Sequence, residues 1–489
     1  MWDAGRVKNS IFRLSLLFLI VSLCGALDSE LTETPITNDA RQNLQAAYNL
    51  NAWGVFSVAA TSEKPSADNY REPLTPFITS LLIRLHEKFD HTPAFDVLAS
   101  GRLCRTIKKI NLFWAFLLLL GSAVLVVALT RSTIFAGLSV ILIYLCFLRN
   151  PEYIDTLCTE IPTATIMIWT SVLLTMGLRS GSRVVFFGAG LLLGLLCLTK
   201  AVFLYLALPI VFIVLLCTLT SSHICKVRTL TIGLLFVVGI TVAAGPWVLR
   251  NYNQFGSFSL ALRGGAVLYG RTLRNTMNMN EVIAAFYLWG PGAYKKMVHN
   301  TFLEIKSEEY EEGGRAARLN RSEDSGFAHK DELAEQAGRP EVAISFHSQS
   351  RAERVRVRRH FESLGHPNPQ QAADDYLKYE ARQWLFEHPV RHVMMSLLFA
   401  WRGVWCFYSG GIFTLLNALC YSACLVVALY GSFKQRGDIV AFAVLPVGML
   451  SFNAFFSHNL SRYSVPVIPY LIISLPVMIS IISGRAVKK

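Results

Sequence analysis

Long stretches without charge recur along this chain, and a backbone that must sit in lipid can satisfy its own N–H and C=O groups only as a helix or a closed barrel. About 17 to 20 apolar residues cross a hydrocarbon core of roughly 30 Å as a helix. Windows of that kind fall near 11–27, 112–129, 132–149, 161–178, 184–199, 201–219, 229–248, 410–431, 439–456 and 464–482. They predict an all-α polytopic membrane protein of about ten transmembrane helices. The 184–199 window is short enough for a tilted or re-entrant segment. Composition agrees: 53% of the 489 residues are hydrophobic and only 16% are charged, which is too apolar for a soluble chain of this length.

Short cytoplasmic loops keep Lys and Arg. In the ten-span arrangement Arg6, Lys8, Arg131, Arg179, Arg183, Lys226, Arg228, Lys434, Arg436, Arg485, Lys488 and Lys489 share one side. That side is read as cytoplasmic, with both termini inside. The opposite loops carry Asp28, Glu30, Glu33, Glu152, Asp155 and Glu160. The first span, with Arg13 near its start, reads as an uncleaved anchor. The formal charge of +13 is absorbed by this topology signal and by anionic lipid headgroups, so no nucleic-acid partner is implied. Of the ten cysteines, Cys24, Cys146, Cys197, Cys217, Cys420 and Cys424 fall in apolar windows as small hydrophobes. Neither a disulfide framework nor zinc-ligand spacing is visible.

Three regions follow: a membrane region over 1–249 whose first outer loop spans 28–111, a large outer region over 250–408, and membrane helices over 409–489. Within the second, 304–362 is dense in Glu, Arg, Lys and Asp with little periodicity, and reads as a solvated, partly helical or disordered insertion. Beyond it the apolar segment 394–408 is interrupted by Trp401, Arg402 and Trp405. That mixture suits a helix lying at the membrane surface better than an eleventh span.

The stretch TNDARQNLQAAYNLNAWG (37–54) follows the first apolar window, and its Ala40, Leu44, Ala47 and Tyr48 form one stripe of a short helix starting near Asp39. Asp39 with Gln42 three residues later has capping-box spacing. Other segments of the outer face carry further charge: NYREPLTPFITSLLIRL (69–85), IDTLCTEIPTATI (154–166), the LTK at Lys200, GPWVLRNYNQFG (245–256) and SRYSVPVIPYL (461–471). That face thus gathers the carboxylates Asp39, Glu72 and Glu160 with the cations Arg102, Lys200, Arg250 and Arg462. Snorkelling at span ends is the alternative account of the cations, and loop or capping roles of the acids.

In their order and common sidedness these motifs resemble the GT-C glycosyltransferases, specifically the family 39-like enzymes that include protein O-mannosyltransferases and the aminoarabinose transferase of lipid A. The resemblance covers nearly the whole chain; the 304–362 insertion departs from it. It implies transfer of a sugar from a polyprenyl-phosphate-linked donor to a lipid, glycan or protein acceptor at the extracytoplasmic face of a membrane, most simply a bacterial inner membrane. For an inverting displacement a carboxylate takes the acceptor proton while phosphate leaves as an anion. Asp39 is expected as that base. Arg250, Arg462, Lys200 and Arg102 are expected at the donor phosphate, where positive charge replaces acid catalysis. Glu160 is expected at a sugar hydroxyl, beside the base or on a divalent metal ion. Glu72, Tyr463 and Trp247 are expected to bind substrate, the aromatics by stacking, with an interfacial belt as their alternative.

Two other classes compete: a transporter or flippase of lipid-linked sugars, and a non-catalytic assembly subunit. Transporters show internal repeats and midplane ionisable groups, and this sequence shows neither. Fold alone cannot remove the subunit reading.

Overall fold

The computed structural model describes residues 4–61, 63–87, 93–221, 225–321, 323–407 and 411–484. Every predicted window coincides with a helix, and no strand occurs among the described residues. Seven helices there are long and apolar enough to cross a membrane: Gly101–Thr130, Glu160–Ser180, Val202–Leu219, Lys226–Phe255, Gly411–Phe433, Gly437–Phe456 and Ser461–Ile482. Thr133–Leu148 and Arg183–Thr199 are apolar but shorter, and the first window lies in the 25-residue helix Ala4–Asp28. The chain is an all-helical, multi-pass membrane protein.

It divides into two compact units. The first comprises Met1–Leu260, Leu416–Met449 and Val465–Lys489; the second comprises Ala261–Leu415 and Leu450–Ser464.

In the first unit, small residues set the helix crossings. A Cβ on Gly190 would lie 2.1 Å from the Phe236 carbonyl oxygen, and one on Gly194 would lie 2.6 Å from the Ala243 Cβ. The Arg183–Thr199 and Lys226–Phe255 helices therefore touch backbone to backbone, the usual route to tight association where lipid removes the hydrophobic drive. Polar side chains add cross-links: the Trp169 indole donates to the Leu117 carbonyl at 3.0 Å, and Ser171 and Tyr470 share a 2.8 Å hydrogen bond.

The connecting segments beside Lys108 in this unit are held by a buried ion pair. Lys108 is fully buried, and its Nζ donates to Asp155 at 2.9 Å and to the carbonyls of Thr32 and Thr34 at 3.1 and 2.9 Å. Burial pushes the Asp155 pKa up, but the Thr32 hydroxyl and amide and the Lys108 ammonium outweigh it and hold the carboxyl below its ordinary value. Ile36 N–H donates to the Ala99 carbonyl at 2.9 Å. Residues 31–36 are thereby fastened immediately before the Asn38–Trp53 helix.

That helix buries Ala40, Leu44 and Ala47, as the stripe predicts. Its cap differs from the expectation. Thr37 is the N-cap residue and makes no side-chain cap bond. Asp39 lies inside the first turn, and both it and Gln42 turn to Arg71 instead. A guanidinium that binds the two side chains together competes better for them than a single backbone amide.

The second unit packs the helices Gly264–Asn275, Phe346–Ser363 and Pro369–Glu387 on one another. Asp374 accepts the amides of Gly265 and Ala266, both at 2.9 Å, and so satisfies the N-terminus of the first of these helices. The 304–362 insertion is ordered rather than loose over its described residues. It forms the helices Ala328–Ala337 and Phe346–Ser363 and buries Ile305, Ala316, Phe346, Ala352 and Val357. Its charges pair locally: Arg315 binds Glu309, and Asp331 accepts the Ser345 amide at 3.1 Å. The 394–408 segment continues the helix Pro389–Val404, which is not among the seven long spans. Val390, Met394 and Leu397 lie exposed along it.

Candidate functional site

A chain of ionisable groups runs through the first unit. Asp39 is half-exposed, with a side chain 31% accessible, and it pairs with Arg71, whose side chain is only 9% accessible. Arg71 Nε donates to Gln42 Oε1 at 2.8 Å, so one planar guanidinium fixes two side chains on successive turns of a helix. The next residue, Glu72, accepts the Ala201 amide at 3.3 Å. Beside it, Lys200 Nζ lies 3.6 Å from the nearly inaccessible Glu160 carboxylate. Four expected residues, Asp39, Glu72, Glu160 and Lys200, are thus linked through Arg71 and Ala201.

Local structure explains these positions. Glu160 stands in the first turn of its helix and Lys200 just beyond the last turn of another. A negative group at a helix start and a positive one at a helix end are each favoured by the peptide dipoles. Pro73 follows Arg71 and Glu72 and keeps the preceding backbone extended, so the two side chains diverge to opposite neighbours.

Arg250 belongs to the same unit. It donates to the Asp68 carbonyl and to Asn251 Oδ1, both at 2.8 Å, and lies over the Trp247 ring at 4.5 Å. Asp68 holds the preceding loop by accepting the Val58 amide at 2.8 Å. Trp247 is buried against Phe56 and Phe77, and its indole N–H donates to the Leu260 carbonyl at 3.0 Å. Arg102 is exposed at the start of the Gly101–Lys108 helix and takes no part in the Asp39–Glu160 chain.

Arg462 and Tyr463 lie in the second unit. Arg462 is exposed, and the Tyr463 hydroxyl is 3.3 Å from His458 Nε2. That unit also carries basic side chains which sequence reasoning passed over. Arg271 is wholly buried, 3.9 Å from the Phe399 ring centroid, and donates to Asn275 and Ser396. Burial lowers its pKa to about 9, with Arg274 adding to the shift.

Sequence reasoning also missed Arg71 and Lys108. The signal for Arg71 was faint: an Arg and a Glu side by side ahead of a proline. For Lys108 it was the position of one lysine at the mouth of an apolar run, which snorkelling explains as well.

No family model matches the sequence, and no curated protein matches it. Among solved structures the fold is similar to archaeal oligosaccharyltransferase AglB from Archaeoglobus fulgidus, in complex with an inhibitory peptide and a dolichol-phosphate. The TM-score is 0.50 at 11% identity, over 96% of this chain and 51% of that chain. It is equally similar to the oligosaccharyltransferase of that organism in complex with Zn and sulfate, with TM-score 0.50 and 11% identity, over 96% of this chain and 49% of that one. The chain therefore has the GT-C fold and spans about half the length of these structures.

Proposed function

We propose that this protein is a membrane glycosyltransferase. It moves a sugar from a polyprenyl-phosphate-linked donor to a lipid, glycan or protein acceptor at the extracytoplasmic face of a bacterial inner membrane, with inversion at the anomeric carbon. The observation that carries the reading is the Asp39–Arg71 pair, a partly exposed carboxylate aimed by a buried guanidinium and joined through Glu72 and Ala201 to Lys200 and Glu160. Asp39 acts as the base, since a general base must be accessible and held in one orientation. Arg71 positions it. Glu160 orients a sugar hydroxyl through its end of the chain.

A leaving phosphate needs cations, not a strong acid. Lys200 and Arg250 take that role in this reading, with Arg102 at the periphery. Glu72 holds the 200–201 turn in place. Trp247 supports the site through its packing under Arg250. The dolichol-phosphate carried by one structural neighbour supports a lipid-phosphate donor.

The other neighbour was solved with Zn and sulfate, which raises the question of a divalent ion here. Among the described residues no group of three or more His, Cys, Asp and Glu could hold one. Asp39 and Glu160 each already face a cation. The residues present do not fit such a site, and the charge on the leaving group is met by Lys and Arg in this reading.

Mass spectrometry of glycolipids and glycoproteins from a deletion strain tests the proposal. A sugar that disappears from one acceptor, and returns with the wild-type gene, names donor and acceptor together. An unchanged glycan profile, with no transfer by the purified protein, contradicts it.

A further inference from the structure

The helix Pro389–Val404 is apolar on two sides, and the protein covers only one of them. His392, Met395, Leu398, Phe399 and Gly403 are buried. On the other side Val390, Val393, Met394 and Leu397 recur at helical spacing, and each is more than half exposed. Trp401 continues that stripe one turn beyond Leu397. Between Pro389 and Trp401 the only Arg, Lys, Asp or Glu is Arg391, and its guanidinium turns away to the Asn275 and Met277 carbonyls, both at 2.6 Å. A contiguous row of large apolar side chains is costly in water in proportion to its area, so it marks a surface that something apolar covers.

What covers the stripe follows from what the buried side packs against, which is the ends of two candidate spans. The His392 ring lies 5.9 and 6.3 Å from those of Phe455 and Phe456, at the end of Gly437–Phe456. Arg402 donates to the His458 carbonyl at 3.0 Å, and the Asn459 side-chain amide donates to the Phe399 carbonyl at 2.8 Å, just before Ser461–Ile482 begins. Residues 405–410 alone join the helix to a third candidate span, Gly411–Phe433, a reach of at most roughly 25 Å. Consecutive spans alternate in direction, so these three ends share one side of the bilayer. The helix itself, at 16 residues, rises only about 24 Å, short of the roughly 30 Å of a hydrocarbon core. Tethered to the ends of three spans, it lies at the boundary of the bilayer.

Trp401 connects the stripe to a basic turn. Its ring stacks on Phe286 at 4.7 Å and meets Tyr294 edge-on at 5.5 Å, and its indole N–H donates to the Phe286 carbonyl at 3.0 Å. Tyr294 belongs to the helix Gly292–Met297, which continues with Lys295, Lys296 and the exposed Met297. Among the described residues no ion pair joins either lysine to a carboxylate. An apolar stripe edged by Trp and Tyr and then by lysines is the side-chain order of a membrane interface. We infer that the stripe and this turn form a docking surface for the bilayer that the spans cross, with the stripe in the boundary between headgroups and acyl chains and Lys295 and Lys296 on the phosphates of anionic phospholipids. The second unit is thereby fastened to the membrane along a helix face as well as through the spans.

The test uses the full wild-type chain in nanodiscs of phosphatidylcholine and phosphatidylglycerol, with a trace of one lipid or the other carrying a photoactivatable diazirine on its acyl chain. Peptide mapping after illumination is expected to find lipid adducts on 390–401 at a yield comparable to that on the span Val202–Leu219. None is expected on Ala328–Ala337, where Leu333 is likewise more than half exposed but stands alone. Over 292–302 the phosphatidylglycerol probe should label about five-fold more than the phosphatidylcholine probe, and the double variant Lys295→Gln, Lys296→Gln should bring the two to par. An unlabelled 390–401 beside labelled spans overturns the inference, whether water, a second copy or a soluble protein meets the stripe. Equal labelling of wild type by the two probes overturns the anionic preference. Both readings come from wild type, so neither depends on a variant folding, and both are made without transfer, so they stand apart from the proposed activity.

Discussion

The Arg71 guanidinium spans the Asp39 carboxylate and the Gln42 side-chain carbonyl, tying a Pro-rich connecting segment to the first turn of the helix that follows the first apolar window. Its planar donor set meets two acceptors at once, which an ammonium group cannot do. The arrangement fixes where the carboxylate points. It also explains why Asp39 is not spent on capping its own helix.

Arg71→Ala is therefore expected to lower transfer about 100-fold or more while the protein still inserts and elutes as wild type, because a base misplaced by about an ångström loses that much. Arg71→Lys should fall between, keeping the charge without the fork. Steady-state transfer with a polyprenyl-phosphate sugar distinguishes these. Wild-type turnover in Arg71→Ala removes the positioning role.

The Lys108–Asp155 pair is buried, and breaking one side leaves the other uncompensated. Lys108→Met should destabilise the protein by about 3–5 kcal/mol, whereas changing both partners to apolar residues should cost much less. Thermal unfolding of the purified protein, followed for both variants, gives the comparison.

The same pair sets an acid limit. The folded-state pKa of Asp155 lies below its ordinary 3.8, so its contribution is fully present above that ordinary value and is lost as pH falls through the lower, folded value. The stability gap between wild type and Asp155→Asn should hold steady from about pH 8 to about pH 5, as it must for a group that titrates lower, and close on further acidification. A gap that closes on alkalinisation contradicts the assignment.

Close helix contact at Gly190 predicts a steep dependence on size. Gly190→Leu should abolish recovery of folded protein, since even a Cβ there meets the Phe236 carbonyl at 2.1 Å. Gly188→Ala, whose Cβ would meet only Leu173 Cδ1 at 3.4 Å, should be recovered at wild-type yield. Size-exclusion profiles of the two variants decide this.

Much of the architecture was legible because lipid imposes a simple rule: each apolar window, from 11–27 to 464–482, became a helix. The short 184–199 window was visibly anomalous, and it became a 17-residue helix. Asp39, Glu72, Glu160 and Lys200 could be gathered from their common sidedness. Arg71 and Lys108 could not, because their partners lie 32 and 47 residues away and nothing local marks a cation as paired. Asp39 and Gln42 gave a false capping signal for the same reason: spacing shows what a local bond would need, and a distant guanidinium prevailed. The order of 304–362 was hidden because its core is built from scattered residues such as Ile305, Ala316 and Phe346, too sparse to make a period. Sequence alone also gave no sign that 450–464 joins the second unit.

Transfer by the Asp39→Asn variant tests the central claim most directly. With purified protein and a panel of polyprenyl-phosphate sugars, wild type should transfer and Asp39→Asn should be slower by about 100- to 10,000-fold at equal expression and unchanged donor binding. An Asp39→Asn protein that transfers at the wild-type rate, or a wild-type protein that carries lipid-linked sugar across sealed vesicles without breaking its glycosidic bond, would contradict the account.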